Sequence, residues 1–440
     1  MAEQNSNDNR SPKRASGVLY VCLLLFFALT ITRFIRYART SLLALGATTG
    51  RERFAGVDLD PSKLLAGLIV MLLIAAMLYR PKKSVLRIDS PARILMLFAL
   101  YSFASVAWAY APRHTAVWSL KLLQWIVLYI VIITLTTSRR DLTRWAHLFL
   151  AASLLNMIAM IQERVAPATA FGGAAGGPTA GLYLIHYPRW AILFLPFALH
   201  SLLQGNNRSE KMAGAAAVIM NLVTVYLSQR RGGPPVVAIS VFAYFIIIGW
   251  RGRRLLALLA AFVVLGATVF ALDPQYAGRL ASIPFPGGAT LEDWARSGRY
   301  GQYVAGIEII RQHPFVGVGM GGALLWSMDH MNVGLMQHSL LLKLGSEFGL
   351  VGLVIYGAFL YAVIRRNQAA LGTTKAEGDR WGRSFAAATL ASLIAMLVWA
   401  QLQPSLVHLP IYLCCGLGSA TAAIFSRRSQ SVESAAASSG

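Results

Sequence analysis

The chain has 440 residues, of which 56% are hydrophobic and 13% charged, and its mean hydropathy is +0.56. This composition excludes an ordinary soluble domain. The formal net charge of +22 indicates anionic partners. It does not favour nucleic acid, because the basic residues are split between the two membrane faces assigned below.

Apolar runs close to twenty residues long recur along the chain, and each predicts a helix that crosses a bilayer. Backbone amides in lipid must bond within their own segment, so the spans are helical. The predicted fold is an all-α, polytopic membrane protein of about 12 transmembrane helices. The runs cover residues 17–33, 62–79, 92–111, 117–136, 144–162, 180–203, 211–228, 235–250, 254–272, 339–364, 384–402 and 405–426.

The basic residues of the short loops orient these spans. More of them fall on the side of the N-terminus, which makes that side cytoplasmic by the positive-inside rule. The chain then divides into five segments. They are a cytoplasmic N-terminal tail at 1–16, transmembrane helices 1–9 at 17–272, a large outward loop with an amphipathic helix at 273–338, transmembrane helices 10–12 at 339–426, and a disordered cytoplasmic tail at 427–440.

The first outward loop is basic, against the topological bias. Arg33, Arg36 and Arg39 lie in residues 33–47, a pattern typical of a basic amphipathic segment on the bilayer surface. Two roles stay open for it. It anchors the protein to lipid headgroups, or its arginine forks dock an anionic acceptor lipid.

Three patterns have simpler explanations than their best-known functions. The sequence from Gly317 to Gly322 fits a dinucleotide-binding motif, but it follows His-Pro instead of a strand, so we expect a tight turn. Cys22, Cys414 and Cys415 fall in predicted spans as small apolar residues. The outward acidic residues are scattered, so we expect no metal and no cofactor.

A set of cations surrounds the end of the outward loop at His338. Arg230 and Arg231 follow the seventh span, and Arg296 and Arg299 lie inside the loop. Arginine holds multi-oxygen anions bidentately, and histidine is suited to proton abstraction near neutral pH. Each residue alone also fits a structural role, as a snorkelling arginine or a histidine bonded to a loop carbonyl. Together on one face they favour a site for a lipid phosphate or diphosphate.

Two local predictions follow from helical spacing. Tyr300, Tyr303, Ile307 and Ile310 recur at intervals that predict an amphipathic helix from Tyr300 to Arg311. Glu347 lies nine residues after His338 and points away from it on a regular helix, so it is a poor orienting group for that histidine. Its expected partner is Lys343, four residues earlier.

The order of these motifs resembles the O-antigen ligase and polymerase superfamily over roughly residues 220–355. The matching elements are Arg231-Gly232, Ser297-Gly-Arg299 with an aromatic four positions on, Pro314 with Gly317-x-Gly319, His338-Ser-x-x-Leu, and Glu347-x-Gly349-x-x-Gly352. Tyr303 and Ser339 depart from the usual tryptophan and asparagine. Arg230 stands where a small hydroxyl residue is usual, which leaves open whether Arg230 or Arg231 is the family arginine.

The resemblance implies an architecture and an activity. Family members have about twelve spans, a C-type glycosyltransferase-like fold and a large periplasmic loop, here 273–338. The ligases move O-antigen polysaccharide from undecaprenyl diphosphate to lipid A–core in the bacterial inner membrane, without a metal. Attack on the face opposite the diphosphate would invert the anomeric centre. Carried over by position, His338 matches the general base, Arg299 the loop arginine and Arg231 the arginine that precedes glycine. With Arg230 and Arg296 from the cation set above, these arginines are expected to contact the donor diphosphate. Arg33, Arg36 and Arg39 would meet the acceptor lipid.

Other functions stay open at this stage. An O-antigen polymerase and a protein O-oligosaccharyltransferase share the same chemistry with different acceptors. A transporter or flippase for polyprenyl-linked glycans is a different class, and it would place ionisable groups near mid-membrane between repeated halves. We find no clear internal repeat, and the charges gather at the outer surface, which disfavours transport. The arginine-rich first outward loop favours a phosphorylated lipid acceptor, and hence a ligase over a polymerase.

Overall fold

The computed structural model describes residues 87–165, 186–230, 232–273, 299–331, 338–403 and 409–438. All the regular secondary structure within these ranges is helical. The helices are α1 Ser90–Ala104, α2 Pro112–Leu135, α3 Arg139–Val165, α4 His186–Gln204, α5 Arg208–Leu227, α6 Gly233–Ile247, α7 Arg253–Leu272, α8 Arg299–Gln312, α9 Gly322–Met331, α10 Leu340–Ala376, α11 Arg380–Leu402 and α12 Leu409–Ser438. A short 3-10 turn, Ser105–Ala107, extends α1.

Seven of these segments are long and apolar enough to cross a membrane, which makes the protein polytopic. They are Ser90–Ala107, Pro112–Leu135, Arg139–Ile161, Arg208–Leu227, Leu340–Ala376, Arg380–Leu402 and Leu409–Ser426. The predicted number of about 12 is not reached within the described residues. The predicted spans 17–33 and 62–79 lie outside them, and α6 is apolar but shorter than the seven.

Helices also form at the predicted spans 180–203 and 254–272, but neither is among the seven. The first of these, α4, is enclosed by protein along most of its length and carries Arg189 and His200. It packs most extensively against α5 and α11. The core of the bundle therefore lies around α4 and α11, where the run Ala386-Ala387-Ala388 is fully buried and lets neighbouring helices approach closely.

The C-terminal helix continues beyond its candidate membrane span, Leu409–Ser426. α12 runs to Ser438, whereas the sequence predicts a disordered tail from residue 427. Residues 427–438 contain neither glycine nor proline and include three consecutive alanines, so their helix propensity is high. Extending an existing helix also avoids the cost of nucleating a new one.

The longest helix, α10, is broken at Gly349, whose φ of 63° and ψ of −163° are not helical. Residues 313–321, called here the glycine loop, lie against this break and supply the hydrogen bonds that the helix loses there. Two loop N–H groups donate to α10, and two α10 N–H groups donate to the loop. The four bonds are Val318 N to Ser346 O at 3.0 Å, Gly319 N to Glu347 O at 2.9 Å, Leu350 N to Pro314 O at 2.8 Å, and Val351 N to Phe315 O at 3.2 Å.

The close approach of the two backbones explains the glycines at both sides of the break. A Cβ on Gly349 would overlap the carbonyl of Phe315, and one on Gly317 would overlap the backbone of Glu347 and Phe348. Both residues also have positive φ, 63° and 66°, which disfavours any residue with a side chain. The tight turn expected from the Gly317–Gly322 pattern is thus present, with positive φ at Gly317, Gly319 and Gly321.

Replacing Gly349 with Ala should destabilise the protein by at least about 1–3 kcal/mol, because the new methyl group meets backbone in a strained conformation. A matched control is Gly357→Ala on the same helix, where a Cβ meets nothing within 4 Å. That change should be neutral or stabilising by up to about 1 kcal/mol. Thermal unfolding of the detergent-solubilised variants measures the difference, and equal stabilities would contradict this account of the break.

Candidate functional site

The helix α8 forms where the sequence predicts one, but only part of its apolar face packs against the protein. Tyr300, Tyr303 and Ile307 face outward, and Ile307 is 58% exposed. The side in contact with protein carries three small residues, Gly301, Ala305 and Gly306, together with Gln302 and Ile309. Small residues let two helix backbones come close, whereas bulky apolar ones can face lipid at no cost.

The direction of α8 is fixed by two contacts with α10. Gln302 lies against His338, and Ile310 Cδ1 lies 2.8 Å from the place where a Cβ on Gly345 would be. The helix therefore runs alongside the start of α10 in the same direction. Its C-terminal end then leads directly into the glycine loop at the helix break.

His338, the candidate base, bonds to a buried glutamine. Its Nδ1 lies 2.5 Å from Oε1 of Gln302, which is only 3% exposed. The imidazole itself is half-buried. Sequence reasoning sought an orienting carboxylate for this histidine and missed the amide, although Gln302 is one helical turn after Arg299, where a residue on the same face would be found.

The next residue, Ser339, begins α10. Its hydroxyl accepts a hydrogen bond from Leu342 N at 3.3 Å as a helix N-cap, and it donates to Gln401 Oε1 at 2.9 Å. Gln401 also accepts from Leu341 N at 3.4 Å. The C-terminal turn of α11 thus holds the first turn of α10, and with it the backbone that carries His338.

The chain around Arg230, called here the Arg230 segment, contacts the same turn of α11. A Cβ on Gly232 would lie 3.1 Å from Leu402 Cδ1 and 3.9 Å from the Trp399 ring. Gln229 has a positive φ of 53°, so the chain turns sharply just before Arg230, whose side chain is half-buried. The segments of two separate sequence motifs, at Arg230 and at His338, therefore converge on the end of α11.

Not every candidate residue can be placed. Arg299 is the first residue of α8, three positions before Gln302. Arg231 and Arg296 lie outside the described residues, as do the first-loop arginines Arg33, Arg36 and Arg39 and the cysteine Cys22. Cys414 and Cys415 are buried and free in α12. Among the residues that the structure describes, no group of three or more His, Cys, Asp or Glu is arranged to hold a metal ion.

The helix α9, which follows the glycine loop, is fastened to the bundle by an aromatic contact and a hydrogen bond. The ring of Tyr110 meets that of His330 edge-on at 5.6 Å, and Tyr110 Oη donates to Asp329 Oδ2 at 2.6 Å. The carboxylate of Asp329 accepts this hydrogen bond and repels the phenolate, so it raises the pKa of Tyr110.

The expected ion pair between Lys343 and Glu347 forms, with Nζ 2.5 Å from Oε1. Both residues are nearly enclosed, at 7% and 1% exposure. They line a small recess with His114 and Trp118, whose indole N–H donates to His114 Nε2 at 2.7 Å. The pair lies under the glycine loop and neutralises two charges that would otherwise be buried separately.

Breaking this pair should be costly, because one charge would remain buried without its partner. Lys343→Met is expected to destabilise the protein by about 3–5 kcal/mol, whereas the double variant Lys343→Met/Glu347→Leu should recover most of that loss. Thermal unfolding of the three proteins tests this prediction. A double variant no more stable than the single one would show that the pair is not the source of the effect.

Part of the chain that carries these residues matches a known protein family. Residues 216–357 match the family model described as O-antigen ligase. The matched range contains His338 and Gln302, and also Arg230, Arg231, Arg296 and Arg299. A search of curated proteins gives no significant match. The match supports a ligase- or polymerase-type glycosyltransferase activity, and the resemblance of this chain to the O-antigen ligase and polymerase superfamily is thereby confirmed.

Proposed function

We propose that the protein is an inverting, metal-independent glycosyltransferase that moves O-antigen polysaccharide from undecaprenyl diphosphate to lipid A–core. The reaction would take place on the periplasmic face of the bacterial inner membrane, with both chain termini in the cytoplasm. The observation that carries the proposal is the position of His338. It lies within the matched domain, half-buried and bonded to Gln302 beside the start of α8, the helix that begins with Arg299.

The chemistry needs few groups, because a diphosphate is already a good leaving group. His338 takes the proton of the acceptor hydroxyl while that oxygen attacks the anomeric carbon of the donor sugar. The bond between this carbon and the diphosphate oxygen breaks, and its electron pair leaves with the diphosphate. Attack from the opposite face inverts the anomeric centre.

Arginines stabilise the departing charge. Arg299 and Arg230 or Arg231 would contact the diphosphate, with Arg296 nearby in the chain. Preorganised donors of this kind contribute about 2.7–4 kcal/mol each to transition-state stabilisation in comparable tests. The convergence of the Arg230 segment and the His338 segment on Gln401 and Leu402 supports this assignment, since it brings both to one end of the bundle.

The general-base role predicts that His338→Gln loses transfer about 10²–10⁴-fold, since glutamine keeps a hydrogen bond but cannot accept the proton. Donor binding should survive, because the base acts on the acceptor. The assay is transfer of glycan from a purified lipid-linked donor to lipid A–core in detergent, with donor affinity measured separately. Wild-type turnover in this variant would refute His338 as the base.

The phosphate-binding role predicts that Arg299→Ala nearly abolishes transfer and weakens donor binding, while Arg299→Lys restores little. A point charge cannot reproduce the planar, bidentate fork of arginine. Arg311→Lys is a matched control on the same helix, because Arg311 is exposed and paired only with Glu308 among its described contacts. Full activity in Arg299→Lys would show that generic positive charge is sufficient there.

A further inference from the structure

The hydrogen bond between Gln302 and one ring nitrogen of His338 determines the protonation state of the other ring nitrogen. Gln302 presents Oε1 to His338 Nδ1, and an amide oxygen can only accept a hydrogen bond. Nδ1 must therefore carry the hydrogen. In a neutral imidazole the lone pair then resides on Nε2, which is the form that a general base requires at that atom.

Burial makes this arrangement specific. Gln302 is 3% exposed, so water does not readily take its place as the partner of Nδ1. The backbone on both sides is also held: α10 begins at Ser339 against Gln401, and the far end of α8 packs at Gly345. The glutamine and the histidine, 36 residues apart in the chain, thus meet between two fixed helices.

We propose that Gln302 is a positioning residue that fixes the tautomer and the ring orientation of His338. This inference rests on the proposed role of His338 as the base. Because Gln302 is one turn from Arg299 on α8, the same helix would carry the donor contact and the group that orients the base.

The test replaces the amide in three ways. Gln302→Met keeps the volume but removes the acceptor, so kcat should fall about 10–100-fold, the loss found when partners that orient metal-bound histidines are removed, with donor affinity unchanged. Gln302→Glu keeps an acceptor at the same place and should retain much more activity than the Met variant. The acidic limb of the activity–pH profile of Gln302→Glu should move to higher pH, because a carboxylate stabilises the imidazolium.

The control is Gln312→Met, the same substitution on the same helix at an exposed glutamine that bonds only to Glu308 among its described contacts. Its kcat and pH profile should match the wild type. Lys343, Glu347, Glu308 and Arg311 are unchanged in every variant, so differences in the profiles report on position 302.

The outcomes separate this proposal from the proposed function. An active His338→Ala enzyme would overturn the base itself. If His338→Ala is inactive but Gln302→Met keeps the wild-type kcat and pH profile, only the positioning role is overturned. Loss of activity in Gln302→Met and Gln302→Glu alike, with unchanged pH dependence and lowered thermal stability, would assign Gln302 a packing role and also overturn it.

Discussion

The broken helix at Gly349 is the constraint on which the placement of the glycine loop and α8 depends. A helix that stops hydrogen bonding to itself among apolar neighbours must find new partners for its free backbone groups, since each unsatisfied group is costly there. The glycine loop supplies four such bonds, and Tyr101 Oη donates a fifth to Phe348 O. The loop is thereby fixed to α10, and the helix α8 that precedes it is fixed along the first turns of α10.

This arrangement explains which features the sequence could predict. The span positions follow from the length of the apolar runs, and the helix at 299–312 follows from periodicity. The Lys343–Glu347 pair follows from spacing of one helical turn. All of these are local. The contact between Gln302 and His338 joins residues that are 36 apart, and it depends on how two helices pack. No pattern within one element contains that information.

The face on which α8 packs could not be predicted from periodicity, for a different physical reason. Apolar periodicity marks the buried face of a helix only where the alternative surroundings are water. Beside a membrane, a face such as Tyr300, Tyr303 and Ile307 is also stable when it points away from the protein. The packing face is then chosen by close approach, and Gly301, Ala305 and Gly306 allow it. In such segments the small residues predict the interface better than the large ones.

The same helix end, the last turn of α11, positions two of the motifs that the sequence suggested. Gln401 holds the start of α10 through Ser339, and Leu402 lies against Gly232 beside the Arg230 turn. α11 is largely buried in the bundle, so it is a rigid reference for both. A transfer reaction that combines a base and an anion-binding group gains from such a common support, because reacting groups must keep their relative positions to within fractions of an ångström. The positions of Gln401 and Leu402 are therefore as much part of the site as the ionisable residues themselves.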